Sequence, residues 1–306
     1  MIYTVTLNPS IDYTMHVAHF ETGKTNRSLK ETYYPGGKGL NVSMILTDLG
    51  METMALGFCA GPIGGYIEAL LTERQLNHHL IHLQEGCSRI NIKIKGEIET
   101  EINGNGPHIQ PQDLAQLINQ LDALGDEDLL VLAGSIPQSV PNDIYETIMQ
   151  HLQDRGVKFV IDATGNLLLN TLKYQPFLIK PNQDELSELF GVKITTADEL
   201  TDYARRLRKM GARNVLVSLG AQGAILIDEK DEVFFCPAAK GELKNSVGSG
   251  DSMIAGFLTG YLKTGDYAYA LKLGSACGAA TAFSDDLANL QLIQEIEKDL
   301  VVHQLA

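Results

Sequence analysis

The residues best suited by type and spacing to do chemistry lie in Asn245–Phe257, NSVGSGDSMIAGF. Gly248, Ser249 and Gly250 precede a clear helical pattern, and Asp251 falls in its first turn. Small residues there let backbone N–H groups converge, and the helix dipole adds positive potential, which suits phosphate oxygens. A phosphate repels a carboxylate, so Asp251 beside such a nest points to chemistry: taking the proton of a hydroxyl that attacks a phosphoryl group. The same residues also read as a glycine-rich turn with an ordinary acidic residue at a helix start.

Three further segments carry candidates. In LIKPNQDEL (Leu178–Leu186) a strand runs into a helix, and Asn182 and Glu185 are spaced to face one side. Oxygen ligands at a strand's carboxyl end suit Mg2+, which leans on one or two carboxylates and keeps its waters; the same pair reads equally as a capping box. In VSLGAQGA (Val217–Ala224), Gly220 and Gly223 end a buried strand, which lets a nucleotide approach the backbone or simply makes a tight hairpin. In PGGKGLNVS (Pro35–Ser43), Gly36 and Gly37 bring the chain tightly into a helix bearing Asn41, with Lys38 at the turn. Lys38 can meet an anion, and Arg27 and Arg89 lie where they could converge with it on one phosphate. Walker A fails because position 18 is Ala, and GxGxxG fails at Met253.

The elements that must position these residues alternate. Candidate strands are Ile2–Leu7, Met54–Phe58, Leu129–Gly134, Lys158–Ala163, Phe177–Lys180, Asn214–Leu219, Ala224–Asp228 and Glu232–Cys236, with amphipathic helical segments between them. Such alternation predicts a mostly parallel sheet covered by helices on both faces, with ligands outside the strands' carboxyl ends. Two segments break the pattern: polar Tyr13–Tyr34, and Arg89–Lys95 (RINIKIK), which alternates apolar and polar. They read as strands of a small sheet standing off the main body, a lid over one end of it. His78, His79 and His82 cluster and read as a polar helix end or loop in preference to a metal site.

Bulk properties narrow the class. The 306 residues carry a net charge of −14, which argues against a nucleic-acid partner. No stretch approaches a membrane span, and the N-terminus reads as a strand, so a cytoplasmic protein is expected. The four cysteines are scattered with no CxxC pair, which argues against zinc and dithiol redox chemistry.

Taken together and in this order, the motifs resemble the ribokinase-like, phosphofructokinase-B family of sugar kinases. The N-terminal signature is Gly36-Gly37-Lys38-Gly39-x-Asn41, and the C-terminal one is Val247-Gly248-Ser249-Gly250-Asp251. The resemblance covers essentially the whole chain. It implies a three-layer α/β/α fold, one kinase domain over residues 1–306, and a small β-sheet lid from excursions at about 12–35 and 88–106. It also implies that Asp251 is the general base and that the amides of Gly248, Ser249 and Gly250 form an anion hole. Asp12, Asn41 and the Gly36–Gly37 backbone would hold sugar hydroxyls; Arg27, Lys38 and Arg89 would hold the acceptor's existing phosphate. Lys180, Asn182, Ser218, Gly220, Gly223 and Gly250 would border ATP, and Asn182 and Glu185 would act on Mg2+ through water. A monovalent cation, which some members use, joins ATP and Mg2+ as a candidate cofactor. Family members often dimerise through the lid, so a homodimer is expected.

Within the family, TVTLNPSIDY, NRS (Asn26–Ser28), RINIKIK, TEINGNGP and LAGSIP point to phosphorylation of the 6-hydroxyl of fructose 1-phosphate. Tagatose 6-phosphate is the rival substrate, since members acting on it share LNPSID, GGKGLNV and VGSGDS. A non-catalytic sugar-phosphate sensor would keep the fold but lose the base or the anion-hole glycines, and both are intact.

Overall fold

A computed structural model describes residues 1–305. In chain order the strands are β1 Ile2–Thr6, β2 Ser10–His16, β3 Lys30–Gly36, β4 Thr53–Ala60, β5 His78–Leu83, β6 Arg89–Lys95, β7 Thr100–Asn103, β8 Leu129–Ala133, β9 Lys158–Asp162, β10 Leu178–Ile179, β11 Asn214–Ser218, β12 Ala224–Ile227, β13 Val233–Cys236 and β14 His303–Leu305. The helices are α1 Lys38–Asp48, α2 Gly61–Glu73, α3 Pro111–Leu121, α4 Ile144–Leu152, α5 Gly165–Thr171, α6 Gln183–Phe190, α7 Ala197–Lys209, α8 Ser249–Thr264, α9 Tyr267–Ala282 and α10 Leu290–Asp299.

Ten strands form one sheet in the order β14-β13-β12-β11-β10-β9-β8-β1-β4-β5. The run from β11 to β5 is parallel, and β12, β13 and β14 add an antiparallel edge. Strand residues alternate between two cores, as period-two geometry demands. Leu130, Leu132, Phe159, Ile161, Val215 and Val217 pack with α3 to α7, whereas Leu129, Val131, Val160 and Leu216 pack with α1, α8, α9 and α10. These strands are buried on both faces, which explains why LLVLA and NVLVS read as continuous apolar runs.

The segment holding His78, His79 and His82 is a strand, not a helix end or loop. Leu80, Ile81 and Leu83 are buried while His79 and His82 are exposed, so β5 seals the apolar edge of β4 and turns imidazoles to water. The second sheet has four strands in the order β3-β2-β6-β7. Its register aligns Tyr33, Tyr13, Ile92 and Ile102 in one row across the strands. β7 falls on TEIN, within the second lid excursion, because Ile92–Ile102 pairing extends the sheet past the bend at Gly96.

The helix carrying Asp251 is held unusually close to its neighbour. A Cβ on Gly256 would meet Cys277 Sγ and Leu273 O at 2.6 Å and the Cα of Gly274 at 2.9 Å, so α8 and α9 touch nearly backbone to backbone. Ser252 Oγ and Thr281 Oγ1 are 2.7 Å apart, tying the first turn of α8 to the end of α9. Phe257 is fully buried there, and truncating it to Ala would cost about 3–5 kcal/mol. Among the described residues, no helix is long and apolar enough to cross a membrane.

Candidate active site

A cavity of about 1020 Å³ opens where the parallel strands end at their carboxyl termini. The chain reverses its direction of travel between β1 and β8, and Thr6–Asn8 and Ala133–Ser135 line the cavity at that point. Crossovers leaving in opposite directions open a crevice there by default. Asp162, Lys180, Asn182 and Ser218, at or just past the ends of β9, β10 and β11, extend the same wall.

Asp251 is 4% exposed in the first turn of α8. Gly248 caps that helix at φ +79°, a left-handed conformation that strains any residue with a Cβ. The amides of Gly250 and Asp251 belong to the first turn, which has no intrahelical acceptors, while Ser249 N donates to Ser246 O at 3.3 Å. Asn41 Nδ2 on α1 donates to Asp251 Oδ2 at 2.8 Å. Burial, reinforced by the nearby Asp162 carboxylate, pushes Asp251 up to about 6, with Lys38, Asn41 and Lys180 opposing. A carboxylate so placed is a competent base near neutral pH.

Asp162 lies 3% exposed between two ammonium groups. Lys38 Nζ is 2.8 Å from Asp162 Oδ2, and Lys180 Nζ is 3.4 Å from Asp162 Oδ1. Burial alone would raise Asp162, but Lys180 and Lys38 hold it below the usual carboxylate range. For Lys38 the attraction of Asp162 and Asp251 outweighs burial and raises its pKa, so it is firmly charged. Two cations, two carboxylates and a helix N-terminus therefore meet at one end of the cavity. Such an array suits the redistribution of negative charge in phosphoryl transfer.

Asn182 and Glu185 realise the capping box: Glu185 N donates to Asn182 Oδ1 and Asn182 N donates to Glu185 Oε2, each at 2.8 Å. Both residues also line the cavity. The box uses one oxygen of Glu185, and its second carboxylate oxygen remains for a hydrated cation. Ser218, Gly220 and Gly223 line the wall beyond, with Leu219 N donating to Gly223 O in a tight turn.

The small sheet closes the other side. Asp12 Oδ1 accepts from Ser10 Oγ at 2.8 Å and from Asn91 Nδ2 at 2.9 Å, and Asp12 Oδ2 meets Lys93 Nζ at 2.8 Å. Gly36 sits against this carboxylate, since a Cβ on it would fall 2.6 Å from Asp12 Oδ1. Arg89 lines the cavity with Nε donating to Asn8 O at 3.1 Å and Nη1 to Gly104 O at 3.4 Å. Burial pulls its guanidinium below the ordinary value and Asp12 partly offsets that, so an arriving anion would find a poorly hydrated cation.

The structure does not gather Arg27, Lys38 and Arg89 on one point. Lys38 is engaged with Asp162, Arg89 stands on the small sheet, and Arg27 is exposed on the loop between β2 and β3, outside the cavity of its own chain. Gly36 supports Asp12 from behind, while Gly37, Lys38 and Asn41 line the cavity. Sequence reading missed Asn8, Asn91, Lys93, Asn103 and Asp162. Asn91 and Lys93 share the polar face of RINIKIK with Arg89, so strand alternation was the available signal; Asp162 gave none beyond being the polar end of an apolar strand.

Comparison with known proteins identifies the family of the chain. The family model described as pfkB family carbohydrate kinase matches residues 5–291. The chain is 44% identical over 305 residues to 1-phosphofructokinase of Bacillus subtilis, with both chains covered completely. It is 33% identical over 306 residues to D-tagatose-1-phosphate kinase of Bacillus licheniformis, again with complete coverage of both. Among solved structures, phosphofructokinase-2 from Escherichia coli in complex with substrates and products superposes with a TM-score of 0.92 at 25% identity, covering 97% of this chain and 98% of that one.

Proposed function

The chain belongs to the pfkB family of carbohydrate kinases, and from that premise we propose that it transfers the terminal phosphate of ATP to the 6-hydroxyl of fructose 1-phosphate, yielding the 1,6-bisphosphate. The observation that carries the proposal is Asp251: a buried carboxylate at a helix N-terminus, with a pKa raised to about 6, facing a pair of charged lysines across one cavity.

In this reading Asp251 accepts the proton of the sugar hydroxyl as its oxygen attacks, and Asn41 holds the carboxylate in position. The amides of Gly248, Gly250 and Asp251 and the ammonium groups of Lys38 and Lys180 take up charge on the phosphoryl oxygens, while the Ser249 amide is held by Ser246 O. Asp162 keeps both lysines in place without exposing its own charge to the phosphate. Asp12, itself fixed by Ser10, Asn91 and Lys93, orients sugar hydroxyls together with the Gly36–Gly37 backbone. Ser218, Gly220 and Gly223 border the nucleotide. Mg2+, when bound, neutralises phosphate charge, and Asn182 and Glu185 fit it through water; a monovalent cation would act beside the α8 N-terminus.

Arg89 is the residue of this chain's own cavity best placed for the phosphate that the acceptor already carries. Arg89→Ala is expected to raise KM for the phosphosugar about 10–100-fold, as loss of a charge-assisted hydrogen bond would, and to leave KM for ATP unchanged. A change in the ATP constant alone would contradict this placement.

The four-stranded sheet serves as the lid of a single kinase domain spanning residues 1–306, excluding water from the transfer. Its far face is apolar: Tyr33, Ile90 and Ile102 are 49%, 40% and 56% exposed, and Phe20 and Leu29 are exposed on the connection between β2 and β3. A second copy covers this face in a homodimer, and only in such an arrangement could Arg27 reach an acceptor phosphate. The double change Tyr33→Glu and Ile102→Glu is expected to convert a sedimenting dimer to monomer; an unaltered sedimentation coefficient would count against the interface. The cytoplasm supplies ATP and phosphosugars together, and the protein works there.

A second reading, tagatose 1-phosphate, draws on relatives named D-tagatose-1-phosphate kinase. It keeps the same phosphorylated end and free 6-hydroxyl, unlike the tagatose 6-phosphate suggested by motif comparison. The test is kcat/KM with fructose 1-phosphate, tagatose 1-phosphate, tagatose 6-phosphate and fructose 6-phosphate side by side. Fructose 1-phosphate is expected to lead; preference for either 6-phosphate would overturn the assignment of the acceptor's ends.

A further inference from the structure

A thiol, a carboxylate and an imidazole converge at the outer edge of the central sheet, away from the cavity. Parallel pairing sets Cys59 of β4 directly against His82 of β5. Directly paired residues of neighbouring strands project to the same face. α2 covers that face so closely that a Cβ on Gly64 would lie 3.0 Å from the Cβ of Cys59. Glu68 stands one turn further along the helix on the same side. The fold thereby brings Cys59 Sγ, a Glu68 carboxylate oxygen and a His82 ring nitrogen within 4.8 Å of one another. Positions 59, 68 and 82 form no spacing motif, so nothing in the sequence announces the cluster, and none of the three serves the phosphoryl transfer.

We propose that Cys59, Glu68 and His82 bind a thiophilic divalent cation of the zinc type, with water completing a tetrahedral shell. One sulfur, one nitrogen and one oxygen donor form a three-residue set with an open fourth position. A thiolate and an imidazole select such an ion over Mg2+ or Ca2+, which prefer oxygen alone. Zinc–ligand bonds of about 2.0–2.3 Å place tetrahedral ligand atoms about 3.3–3.8 Å apart. His82 Nε2 now hydrogen-bonds Glu68 Oε1 at 3.0 Å and stands 2.9 Å from Oε2, so the pair need only part slightly around an ion while Sγ closes in. Burial of Cys59 gives the ion an inner anchor. The His82 side chain, 63% exposed against 22% for Glu68, leaves an entry path from solvent.

The charge balance is favourable. The ion displaces the Cys59 thiol proton to solvent, and the resulting thiolate and the Glu68 carboxylate together neutralise a dication, so no unpaired charge is left in a half-buried place. Burial first, and the Glu68 charge second, push the free thiol up to about 12, which is the opposition that metal–sulfur bonding must overcome.

The test is titration of the chelator-treated full chain with Co2+, followed by displacement with Zn2+. One Co2+ per chain is expected, with near-ultraviolet thiolate-to-cobalt charge-transfer absorption and the strong visible bands of tetrahedral coordination, persisting in excess Mg2+ and abolished by Zn2+. His82→Asn, at an exposed position that leaves the fold intact, and Cys59→Ala should each lose the charge-transfer band and weaken binding more than about 100-fold, beyond the loss from an outer-shell partner. Cys87→Ser, at the exposed cysteine, should retain both. No charge-transfer band in the wild type, a band surviving in both His82→Asn and Cys59→Ala, or a band lost in Cys87→Ser would each overturn the proposal.

Discussion

Asp251→Asn should lower kcat by about 10²–10⁴-fold while the KM values for ATP and phosphosugar stay within about threefold, because general-base contributions fall in that range. The substitution keeps the shape of the side chain and an oxygen for Asn41 Nδ2, so it removes proton-accepting ability and little else. A second readout separates this from misfolding. Burial and Asp162 raise the folded-state pKa of Asp251 to about 6, above its unfolded value. The native state therefore binds the proton more tightly, and stability is lost as pH rises through that window. At neutral pH the wild type holds an unfavourable charge, and Asp251→Asn should have an equal or higher Tm. A stable variant with nearly normal turnover would remove Asp251 from the mechanism.

Lys38→Met should reduce kcat by about 10²–10³-fold, the loss typical of one preorganised donor to transition-state charge. The motif alone suggested a role on the acceptor's phosphate, which would instead raise KM for the sugar. The structure argues otherwise, since Lys38 Nζ lies 2.8 Å from Asp162 and its charge acts on Asp251. Losing Lys38 also removes a group that opposes the rise of Asp251, so the acid limb of the pH profile should move to higher pH. Lys180 remains beside Asp162, so the buried carboxylate is not stranded and the chain should still fold. An unchanged kcat with a raised KM for the phosphosugar would return Lys38 to the acceptor phosphate.

Much of this arrangement was legible in the sequence because parallel α/β folds put chemistry where strands stop. Glycines and polar residues after LIKP, NVLVS and before the Asp251 helix mark those stops, and the structure brings them to one cavity. Local rules were equally readable: Asn182 and Glu185 make the reciprocal hydrogen bonds that their spacing predicts. Long-range pairings were not. Asp162 gains its meaning only from two lysines on α1 and after β10, and an isolated carboxylate ending an apolar strand gives no hint of them. His78–Leu83 looked polar because its exposed imidazoles, His79 and His82, fall on opposite faces of the edge strand, which hides the period-two alternation. Arg27 seemed one of three converging cations because sequence order cannot tell a residue on the cavity side of a small sheet from one on its connecting loop.

The pH dependence of kcat/KM for fructose 1-phosphate, measured in parallel for the wild type and Asp251→Asn, bears most directly on a buried carboxylate acting as base. The wild type should lose activity about tenfold per pH unit below about 6, where Asp251 takes up a proton, and the residual rate of the variant should show no such limb. A wild-type profile flat through that region, or the same limb in both proteins, would contradict it.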